Sequence, residues 1–463
     1  MSKYQSYPEY KDSGVEWLGE IPSHWQMIST KYVAQLTPKK SAIPKDKMSK
    51  VCSFVPMEKL KLNKLTLDEE VLVSQVYDGY TYFEDEDVLI AKVTPCFENK
   101  NMAVASGLAN SIGFGSSEIY VLRCNRKANN QFLFYRLQED SFMAIATAAM
   151  TGAGGLKRVP AETLNTYQFG LPNWKEQIKI SSFLEHETAK IDDLIEKQQQ
   201  LIELLKEKRQ AVISHAVTKG LNSEVPMKGS GVEWLGEVPA HWDVRRLKHT
   251  SDLQSGIPKG KDLTGKKYIS VPMLRVANVQ DGYLNLEDVH LMQIEPEQLE
   301  RYSLRIGDVL MNEGGDNDKL GRGAIWTGGI SHCIHQNHVF AIRPYSIEPE
   351  WLDMITRASY AKFHFYSVAK QSTNLASISS TNIKETPLAI PPKLERSEIL
   401  AYLSRQLDKL SCIEKRCFAQ IELLQERRTA LISAAVTGKI DVRNWVAPTN
   451  DTEVNQEPQE ATA

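Results

Sequence analysis

The sequence predicts an α+β protein in which two strand-rich α/β domains are separated by two long helices that form an antiparallel coiled coil, with an internal pseudo-twofold repeat. The first observation is a duplicated opening: Ser13–Trp25 reads SGVEWLGEIPSHW and Ser230–Trp242 reads SGVEWLGEVPAHW. The second is a duplicated helix end, since Ile202–Thr218 is closely repeated by Ile421–Thr437. Both pairs have nearly the same offset, and so long a period indicates a domain plus a connector in each copy.

The third observation is a long helical pattern in each half. After Pro172, the segment Ile178–Lys219 predicts an amphipathic helix of ~40 residues, about 60 Å long, that ends at Gly220. Its apolar residues recur at spacings of three, four or seven and are Ile180, Leu184, Ile191, Leu194, Leu201, Leu205 and Val212.

The second long helix follows Pro391 and Pro392 and ends at Gly438. A stripe this long needs a partner, and the simplest partner for each helix is the other one. Polar breaks in the stripes either fix the register or face solvent, and they are Gln198, Lys208, Gln420 and Arg427. The apolar stripe of this helix consists of Ile399, Leu403, Leu410, Ile413, Leu424 and Leu431.

Short β-prone runs separated by Gly and Asp turns fill the regions before the helices. The halves match well at their edges and poorly in these middles, as expected for one scaffold with two different surfaces. The runs are Ser270–Val279, Asp308–Asn312 and Val339–Arg343 in the second half, and the weaker Val51–Met57, Asp87–Ala91 and Ile119–Leu122 in the first.

The composition is ordinary for a soluble protein, with 42% hydrophobic and 24% charged residues in 463. No run approaches the roughly 18 apolar residues of a membrane span, and residues 1–10 lack the apolar run of a secretory signal. The six cysteines have neither CxxC pairs nor disulfide-dense spacing. We therefore expect reduced thiols, a cytoplasmic location and no membrane partner.

The net charge of −3 gives no overall attraction to nucleic acid. Much of the negative charge lies in the tail, where Asp451, Glu453, Glu457 and Glu460 occur without a basic residue. The remaining chain is close to neutral, so any phosphate binding has to come from local patches or from a partner.

Two patterns imitate catalytic motifs. Gly260–Lys266 (GKDLTGK) has the spacing of a phosphate-binding loop, but Lys267 stands where Ser or Thr should bind Mg²⁺, which favours a flexible basic loop. Asp87 with Glu98 and Lys100 resembles the acidic and lysine residues of metal-dependent nucleases, although such a set arises by chance in many chains of this size.

The second half also contains a dense His and Cys segment, with His332, Cys333, His335 and His338. Strand alternation puts the first and last on one face and the middle two on the other, which disfavours zinc. The Asn/Asp-Pro-Pro-aromatic segment of an amino-methyltransferase does not occur. We therefore predict no catalytic residues and no cofactor or metal bound by this chain.

Polar loops beside the β-runs are the candidates for reading DNA bases, since they carry donors and acceptors suited to base edges. For each residue alone a solvated turn remains the simpler interpretation. The candidates are Lys92, Thr94, Asn99, Lys100, Ser116 and Ser117 in the first half, and Asn312, Glu313, Asn317, Lys319, Arg322, Gln336 and Asn337 in the second. Near the helix junctions, Lys157, Arg158, Gln371 and Asn374 lie in segments (GAGGLKR and QSTN) that suit contacts to phosphate.

The repeated opening carries Trp17, Trp25, Trp234 and Trp242. We interpret these side chains as packing the opening onto its own domain, with binding of a partner as the alternative.

Across residues 12–445 the chain resembles the specificity subunits of type I restriction-modification systems. The resemblance rests on the two GVEWLGE openings, on Val271–Tyr283 (VPMLRVANVQDGY), on Gly307–Gly315 (GDVLMNEGG) and on the two long helical segments that end in AVTKG and AVTGK. The first half departs from the pattern at Val71–Gly79, which matches the RVANV run poorly; its base contacts are correspondingly less defined.

The resemblance implies that each globular region is a target recognition domain and that the pair reads a bipartite, asymmetric site in double-stranded DNA. It implies that the helices set the half-site spacing and dock two methylation subunits, which use S-adenosylmethionine to methylate adenine N6. Restriction subunits would use ATP and Mg²⁺. The implied segments are target recognition domain 1 at 12–172, a spacer helix at 173–220, target recognition domain 2 at 221–390, a spacer helix at 391–440 and an acidic, disordered tail at 441–463.

Two other classes stay open on the sequence alone. A self-contained nuclease or nucleotide hydrolase predicts metal- or ATP-dependent activity of the purified chain that Glu98→Ala or Lys266→Ala abolishes. A coiled-coil assembly protein predicts that no DNA sequence is preferred in any binding assay.

Overall fold

The structure is a computed structural model that describes residues 4–153, 155–258, 264–315, 320–371 and 376–447, with only the backbone of Ala42. The chain forms two compact units. Met1–Lys197 and Ala419–Ala463 make the first unit, and Gln198–Phe418 makes the second. Each unit therefore contains one globular region and parts of both long helices. The domain boundaries expected from the sequence stay a prediction.

The first unit consists of short strands, short helices and the first long helix. Its strands are β1 (Tyr10–Asp12), β2 (Glu20–Pro22), β3 (Gln26–Ser29), β4 (Ala34–Leu36), β5 (Val51–Val55), β6 (Leu60–Lys61), β7 (Lys64–Leu65), β8 (Glu70–Leu72), β9 (Thr81–Glu84), β10 (Val88–Ala91), β11 (Met102–Val104), β12 (Ile112–Gly115), β13 (Ile119–Cys124), β14 (Thr151–Ala153), β15 (Leu156–Arg158) and β16 (Gln168–Leu171). Its helices are α1 (Val73–Val76), α2 (Asn130–Gln138), α3 (Asp140–Ala148), α4 (Ala161–Thr166) and α5 (Trp174–Lys219), the last of which continues into the second unit.

The second unit repeats this order. Its strands are β17 (Met227–Gly229), β18 (Glu237–Pro239), β19 (Asp243–Arg246), β20 (Ser251–Ser255), β21 (Ile269–Leu274), β22 (His290–Ile294), β23 (Val309–Asn312), β24 (Gly314–Gly315), β25 (Gly323–Ile325), β26 (Ile334–His335), β27 (Val339–Pro344), β28 (Lys370–Gln371), β29 (Ala376–Ser377) and β30 (Pro387–Ile390). Its helices are α6 (Pro296–Tyr302), α7 (Pro349–Arg357), α8 (Ser359–Val368), α9 (Ser380–Lys384) and α10 (Lys393–Val436), which continues into the first unit.

The sheets show that the duplication extends through the poorly matching middles. One sheet has the order β11-β10-β13-β4 in the first unit and β25-β23-β27-β20 in the second, with antiparallel pairing throughout. A second sheet contains one parallel pair in each unit, β5 with β12 and β21 with β26. Parallel pairing requires a long crossover connection, so its presence in both units indicates a common fold.

The predicted β-runs form strands, but two of them extend past the strand ends: β5 ends at Val55, and Met57 begins a 3₁₀ turn. Ser270–Val279 was expected to be a single strand, but β21 ends at Leu274 and Val276–Asn278 form a 3₁₀ turn. The backbone N–H of Arg275 donates to Oδ1 of Asn278 at 2.8 Å. This side-chain hydrogen bond offers the backbone an alternative to the sheet, as Asn commonly does.

Both long helices contribute to the cores of the units. The core of the first unit includes Phe183 and Leu184 from α5 with Ala435 and Val436 from α10. The core of the second includes Ala216 and Val217 from α5 with Ile399 and Leu403 from α10. Burial of each large apolar side chain contributes about 1.5–3 kcal/mol, so the helices stabilise the globular regions as well as each other.

The helices pair antiparallel within each unit, as the repeat predicted. In the first unit, Nε of Arg428 donates to Asp192 at 2.9 Å and Nζ of Lys179 donates to the carbonyl of Trp445 at 3.2 Å. In the second unit, Nη2 of Arg209 donates to Glu414 at 2.9 Å, and Gly220 lies beside Glu395.

Most of the predicted apolar stripe is buried, and the buried members are Ile180, Leu184, Ile191 and Leu205 in the first long helix and Ile399, Leu403, Leu410 and Leu424 in the second. Leu194, Leu201 and Ile413 were also assigned to the stripe but are 46%, 38% and 41% exposed. Ile202 and Ile213, which were not assigned to it, are buried together with the predicted Ile191. These three recur every eleven residues, which matches the 3.6-residue turn of a straight helix better than a heptad does.

Membrane insertion has no candidate here: among the described residues, each helix is too short or too polar to cross a bilayer.

Candidate nucleic-acid interface

A hairpin of two short antiparallel strands lies at the equivalent place in the chain order of each unit, before the last short helix. In the first unit β14 pairs with β15, and all six of their residues are exposed. In the second unit β28 pairs with β29, which also pairs with β24. The predicted candidates Lys157, Arg158 and Gln371 lie on these hairpins.

In the first unit, Thr94 joins its loop to the hairpin. Its Oγ1 donates to the carbonyl of Gly155 at 2.8 Å and accepts from the N–H of Lys157 at 3.0 Å. Val93 forms an isolated bridge with Arg158. The structure thus brings Thr94, Lys157 and Arg158 together, with the side chain of Lys157 exposed.

The turn after β12 completes this edge. Glu118 accepts hydrogen bonds from Nε and Nη2 of Arg158, both at 2.9 Å, and this contact lowers the pKa of the Glu118 carboxyl. The backbone N–H of Lys92 donates to the carbonyl of Glu118 at 2.9 Å, and the ammonium of Lys92 lies 5.2 Å from the centre of the Tyr120 ring. Ser116 accepts from the N–H of Glu118 at 3.2 Å, and Ser117 is exposed.

The remaining two first-unit candidates lie in the next turn of the chain. Asn99 is exposed. Nζ of Lys100 donates to the carbonyl of Gln138 at 2.9 Å and to Asp140 at 3.0 Å. Lys100 therefore links its turn to the junction of α2 and α3. These contacts give the lysine a structural role that requires no ligand.

In the second unit, the hairpin borders a cleft of about 560 Å³. At its wall, Nδ1 of His338 lies 2.7 Å from a carboxylate oxygen of Glu313. Gln371 is also in the wall, and Gln336 and Asn337 directly precede His338. The described lining residues are Val276, Glu313, Gly314, Gly315, His338, Lys370, Gln371, Ala376 and Ser377.

Asn312 was expected to face DNA, but only 2% of it is exposed. Its Nδ2 donates to the carbonyls of Val276 and Val279 at 3.3 and 3.0 Å, so its amide holds the turn after β21. Its backbone N–H donates to the carbonyl of Arg322 at 2.8 Å. The candidates Asn317, Lys319 and Asn374 lie outside the described residues.

The residues that resembled a nuclease site serve other contacts. Asp87 is buried and binds Arg123 through both carboxylate oxygens, at 2.8 and 2.6 Å. Lys100 binds Asp140, and Glu98 is exposed. Of the phosphate-loop pattern, residues 260–263 lie outside the described part, and Nζ of Lys266 lies 3.4 Å from Glu295.

The His and Cys segment is divided among several roles. Nδ1 of His335 lies 2.7 Å from the carbonyl of Val339, and burial lowers the pKa of this imidazole. Burial raises the pKa of the Cys333 thiol to about 12. His338 binds Glu313. Among the residues that the structure describes, no three His, Cys, Asp or Glu side chains are grouped to hold a metal ion.

The repeated His-Trp pair binds a glutamate near the start of a long helix. In the first unit, Glu176 accepts hydrogen bonds from Trp25 Nε1 at 2.9 Å and Tyr7 Oη at 2.7 Å, and its other oxygen lies 2.9 Å from His24 Nε2. Burial, and then the hydrogen bond to Glu176, raise the pKa of the Tyr7 hydroxyl. The end of α10 is also here, since Gly438 has a φ of +76° and any Cβ would collide with the Pro22 ring.

The second unit has the same junction at Glu395, which lies 3.1 Å from Trp242 Nε1 and 2.7 Å from His241 Nε2. Trp25 and Trp242 are fully buried, as the packing interpretation predicted. Neither glutamate was among the residues predicted from the sequence, although Glu176 and Glu395 occupy equivalent positions near the starts of the two long helices.

The other two tryptophans lie at the surface. Trp17 is 38% exposed and stacks on Tyr167 with a ring separation of 5.3 Å. Trp234 is 40% exposed and stacks on His364 at 5.6 Å. Each ring therefore covers its own unit with one face and leaves part of the other open.

Known proteins resemble parts of the chain. Residues 22–204 match the type I restriction modification DNA specificity domain. The specificity subunit of the type I restriction enzyme EcoEI from Escherichia coli is 32% identical over 164 residues, which are 35% of this chain and 27% of that relative. The putative MjaX specificity subunit from Methanocaldococcus jannaschii is 27% identical over 207 residues, which are 44% of this chain and 47% of that relative. The chain thus spans about a quarter to a half of the length of these relatives.

A solved structure shares the fold over a longer stretch. It comes from work on complex assembly and conformational transition of the type I R-M system, and it matches with a TM-score of 0.69 at 17% identity, over 90% of this chain and 98% of the other. With two repeated units, paired long helices and a matching DNA specificity domain at residues 22–204, the chain is similar to the specificity subunits of type I restriction-modification systems.

Proposed function

We propose that the chain is the DNA sequence-specificity subunit of a type I restriction-modification complex. The target recognition domain in each unit reads one half of a bipartite, asymmetric site in double-stranded DNA. Partner subunits then methylate adenine N6 or cut DNA according to that recognition. The chain itself performs no chemistry, and the complex works in the cytoplasm.

The observation that carries this proposal is the repeated hairpin with different side chains around it. The two units share sheet order and hairpin position. Around the first hairpin are Thr94, Lys157 and Arg158, whereas Glu313, His338 and Gln371 surround the second. One scaffold that presents two chemically different polar edges suits two different half-sites, because base edges differ in their pattern of donors and acceptors.

Exposed apolar side chains on the helices support docking of protein partners. In the first unit, Leu194 and Leu423 are 46% and 63% exposed. In the second, Leu204 and Phe418 are 60% and 52% exposed. Large apolar side chains along a helix surface favour a protein interface. We assign this surface to two methylation subunits, which bring S-adenosylmethionine, while restriction subunits bring ATP and Mg²⁺.

The test is single-molecule mapping of N6-methyladenine in a methylation-free host. The host expresses the chain with its neighbouring methyltransferase subunit, and the control host expresses that subunit alone. We expect one two-part motif that is methylated only when the chain is present. Identical maps in both hosts would contradict the proposal for this pair of proteins.

A further inference from the structure

Residues 39–50, here called the lysine segment, concentrate positive charge in a chain whose net charge is −3. The segment reads KKSAIPKDKMSK and contains five lysines with one acid, Asp46. It connects β4 to β5 and forms two 3₁₀ turns, Lys40–Ala42 and Lys45–Lys47.

The backbone of the lysine segment is fixed at several points. Nζ of Lys40 donates to the carbonyl of Tyr77 at 2.6 Å. Ile43 is buried in a small apolar cluster with Val73 and Val76. The carbonyls of Met48 and Lys50 accept hydrogen bonds from the first residues of α1, at 3.1 and 3.0 Å. The segment is therefore a defined surface feature of the first unit.

The other four lysines of the segment are accessible to solvent, and among the described residues their charges are not neutralised by ion pairs with acidic residues. Lys39, Lys45 and Lys50 are exposed and Lys47 is half-exposed. In the described part of the chain, none of these four forms an ion pair with an acid. Other basic residues of this unit do, such as Lys59 with Asp68 and Arg158 with Glu118. Uncompensated charge on a fixed backbone suits a ligand that is itself an extended anion.

The motif recurs in the second half of the sequence. Ser41–Lys47 reads SAIPKDK and Ser255–Lys261 reads SGIPKGK. Ile257 is buried, as Ile43 is, and its N–H donates to the carbonyl of His335 at 2.9 Å. Lys259 and Lys261 lie outside the described residues. A basic Ile-Pro-Lys-x-Lys motif thus follows the equivalent strand in the sequence of both halves, although the surrounding sequence diverges.

We propose that the lysine segment binds the phosphate backbone of duplex DNA beside the first half-site, independently of base sequence. The inference rests on the proposed function. Lysine acts as a point charge rather than a bidentate reader of base edges, and phosphate contacts position a protein without specifying sequence. The register of β5 with β12 places Lys50 and Ser116 at opposite ends of one sheet, about 20 Å apart along the strands at about 3.3 Å per residue. That distance corresponds to about six base pairs of DNA.

The test compares Lys45→Gln/Lys47→Gln with wild type in the complete methyltransferase complex. The probe is a duplex that carries the mapped site, and a second duplex carries a scrambled site. Each lost phosphate contact lowers the slope of log affinity against log salt by about 0.9. We expect the slope to fall by about 1.8 on both duplexes, and the methylated motif to stay unchanged. Between about 50 and 200 mM salt, the ratio of wild-type to variant affinity should shrink about tenfold.

The matched control is Lys61→Gln/Lys64→Gln, which removes the same charge from the exposed β6–β7 hairpin. An equal loss in this control would overturn the inference, because it would show an effect of net charge alone. An unchanged salt slope in the first variant, or an altered motif, would also overturn it while the proposed function stands. A wild-type complex that neither binds nor methylates the duplex would instead contradict the proposed function.

Discussion

Arg123 on β13 binds both carboxylate oxygens of Asp87, the residue that precedes β10, with distances of 2.8 and 2.6 Å. Asp87 also accepts the N–H of Glu84 at 2.8 Å and so closes the turn before its strand. The second unit repeats the arrangement: Arg343 binds Asp308 at two distances of 2.7 Å. Both carboxylates are buried. The pair is thus a structural element of the recognition fold.

We expect Arg123→Gln to lower the free energy of unfolding of the first unit by about 2–4 kcal/mol, because it leaves the Asp87 carboxylate buried without its cation. Arg126→Gln, which removes a charge from an exposed neighbour, should cost less than about 0.5 kcal/mol. Urea unfolding gives the energies, and hydrogen exchange should locate the lost protection in β10 and β13. Equal losses in the two variants would contradict a structural role for the pair.

The two helix junctions should differ in strength. Glu176 is 3% exposed and bonds to Trp25, Tyr7 and His24, whereas the side chain of Glu395 is 28% exposed. We expect Glu176→Ala to cost about 3–5 kcal/mol, because it leaves buried donors unpaired, and Glu395→Ala to cost about 1–2 kcal/mol. Urea unfolding followed by hydrogen exchange measures both. The internal repeat makes each variant the control for the other, and a larger loss at Glu395 would refute this account.

We expect the free energy of unfolding of the second unit to depend on pH because of Asp353. Burial raises its pKa to about 6, although Arg357 acts in the opposite direction. Between the ordinary carboxyl pKa, near 4, and pH 6, the folded state holds more protons than the unfolded state, so this group's contribution falls as pH rises through that window. We expect Asp353→Asn to remove that loss, about 3 kcal/mol in full. The measurement is the difference between wild-type and variant unfolding energies at pH 4.5, 5.5 and 7. A difference that does not change with pH would contradict it.

The helices should act as a ruler. Deleting one heptad from Ile191–Gln210 together with one from Leu410–Thr429 should change the half-site spacing and leave both half-sites unaltered. The expected change is up to about three base pairs, because seven helical residues rise about 10 Å and one base pair about 3.4 Å. Methylation mapping reads the spacing directly. Removal of seven residues from 451–457 serves as the length control, and an unaltered spacing in the heptad variant would exclude the ruler.

Glu313 should specify a base of the second half-site only. Its carboxylate borders the cleft beside β28 and β29 and suits the amino group of a base. We expect Glu313→Gln to relax or change one position of that half-site, with a discrimination of about 1–3 kcal/mol lost. Methylation mapping compares it with Glu287→Gln, an exposed glutamate of the same unit. A change in the first half-site would argue against one reader per unit.

The duplication and the long helices could be predicted from the sequence because they leave periodic or repeated letters. The pairing of Asp87 with Arg123 could not, since the two residues are far apart in sequence and meet only through the pairing of β10 with β13. The burial of Asn312 could not be predicted either. The sequence does not distinguish an amide side chain that holds a turn from one that reads a base.

The exposed members of the predicted helix stripe were misassigned for a different reason. A heptad and a straight helix diverge by about 20° per seven residues, so over six or more turns the stripe moves from Leu194 and Leu201 to Ile202 and Ile213. Spacings of three, four and seven residues are compatible with both the heptad stripe and the stripe of a straight helix. Only the packing partner decides between them.

The division of the two long helices between the units has a consequence for synthesis. The second unit is contiguous, from Gln198 to Phe418, whereas the first needs residues beyond Ala419 to cover Phe183 and Leu184. On the ribosome, which makes the N-terminal residues first, the second unit can close before the first is complete. The apolar surface of the first unit therefore stays uncovered while more than two hundred further residues are synthesised. During this time the first unit is the part of the nascent chain most prone to aggregation and to chaperone binding.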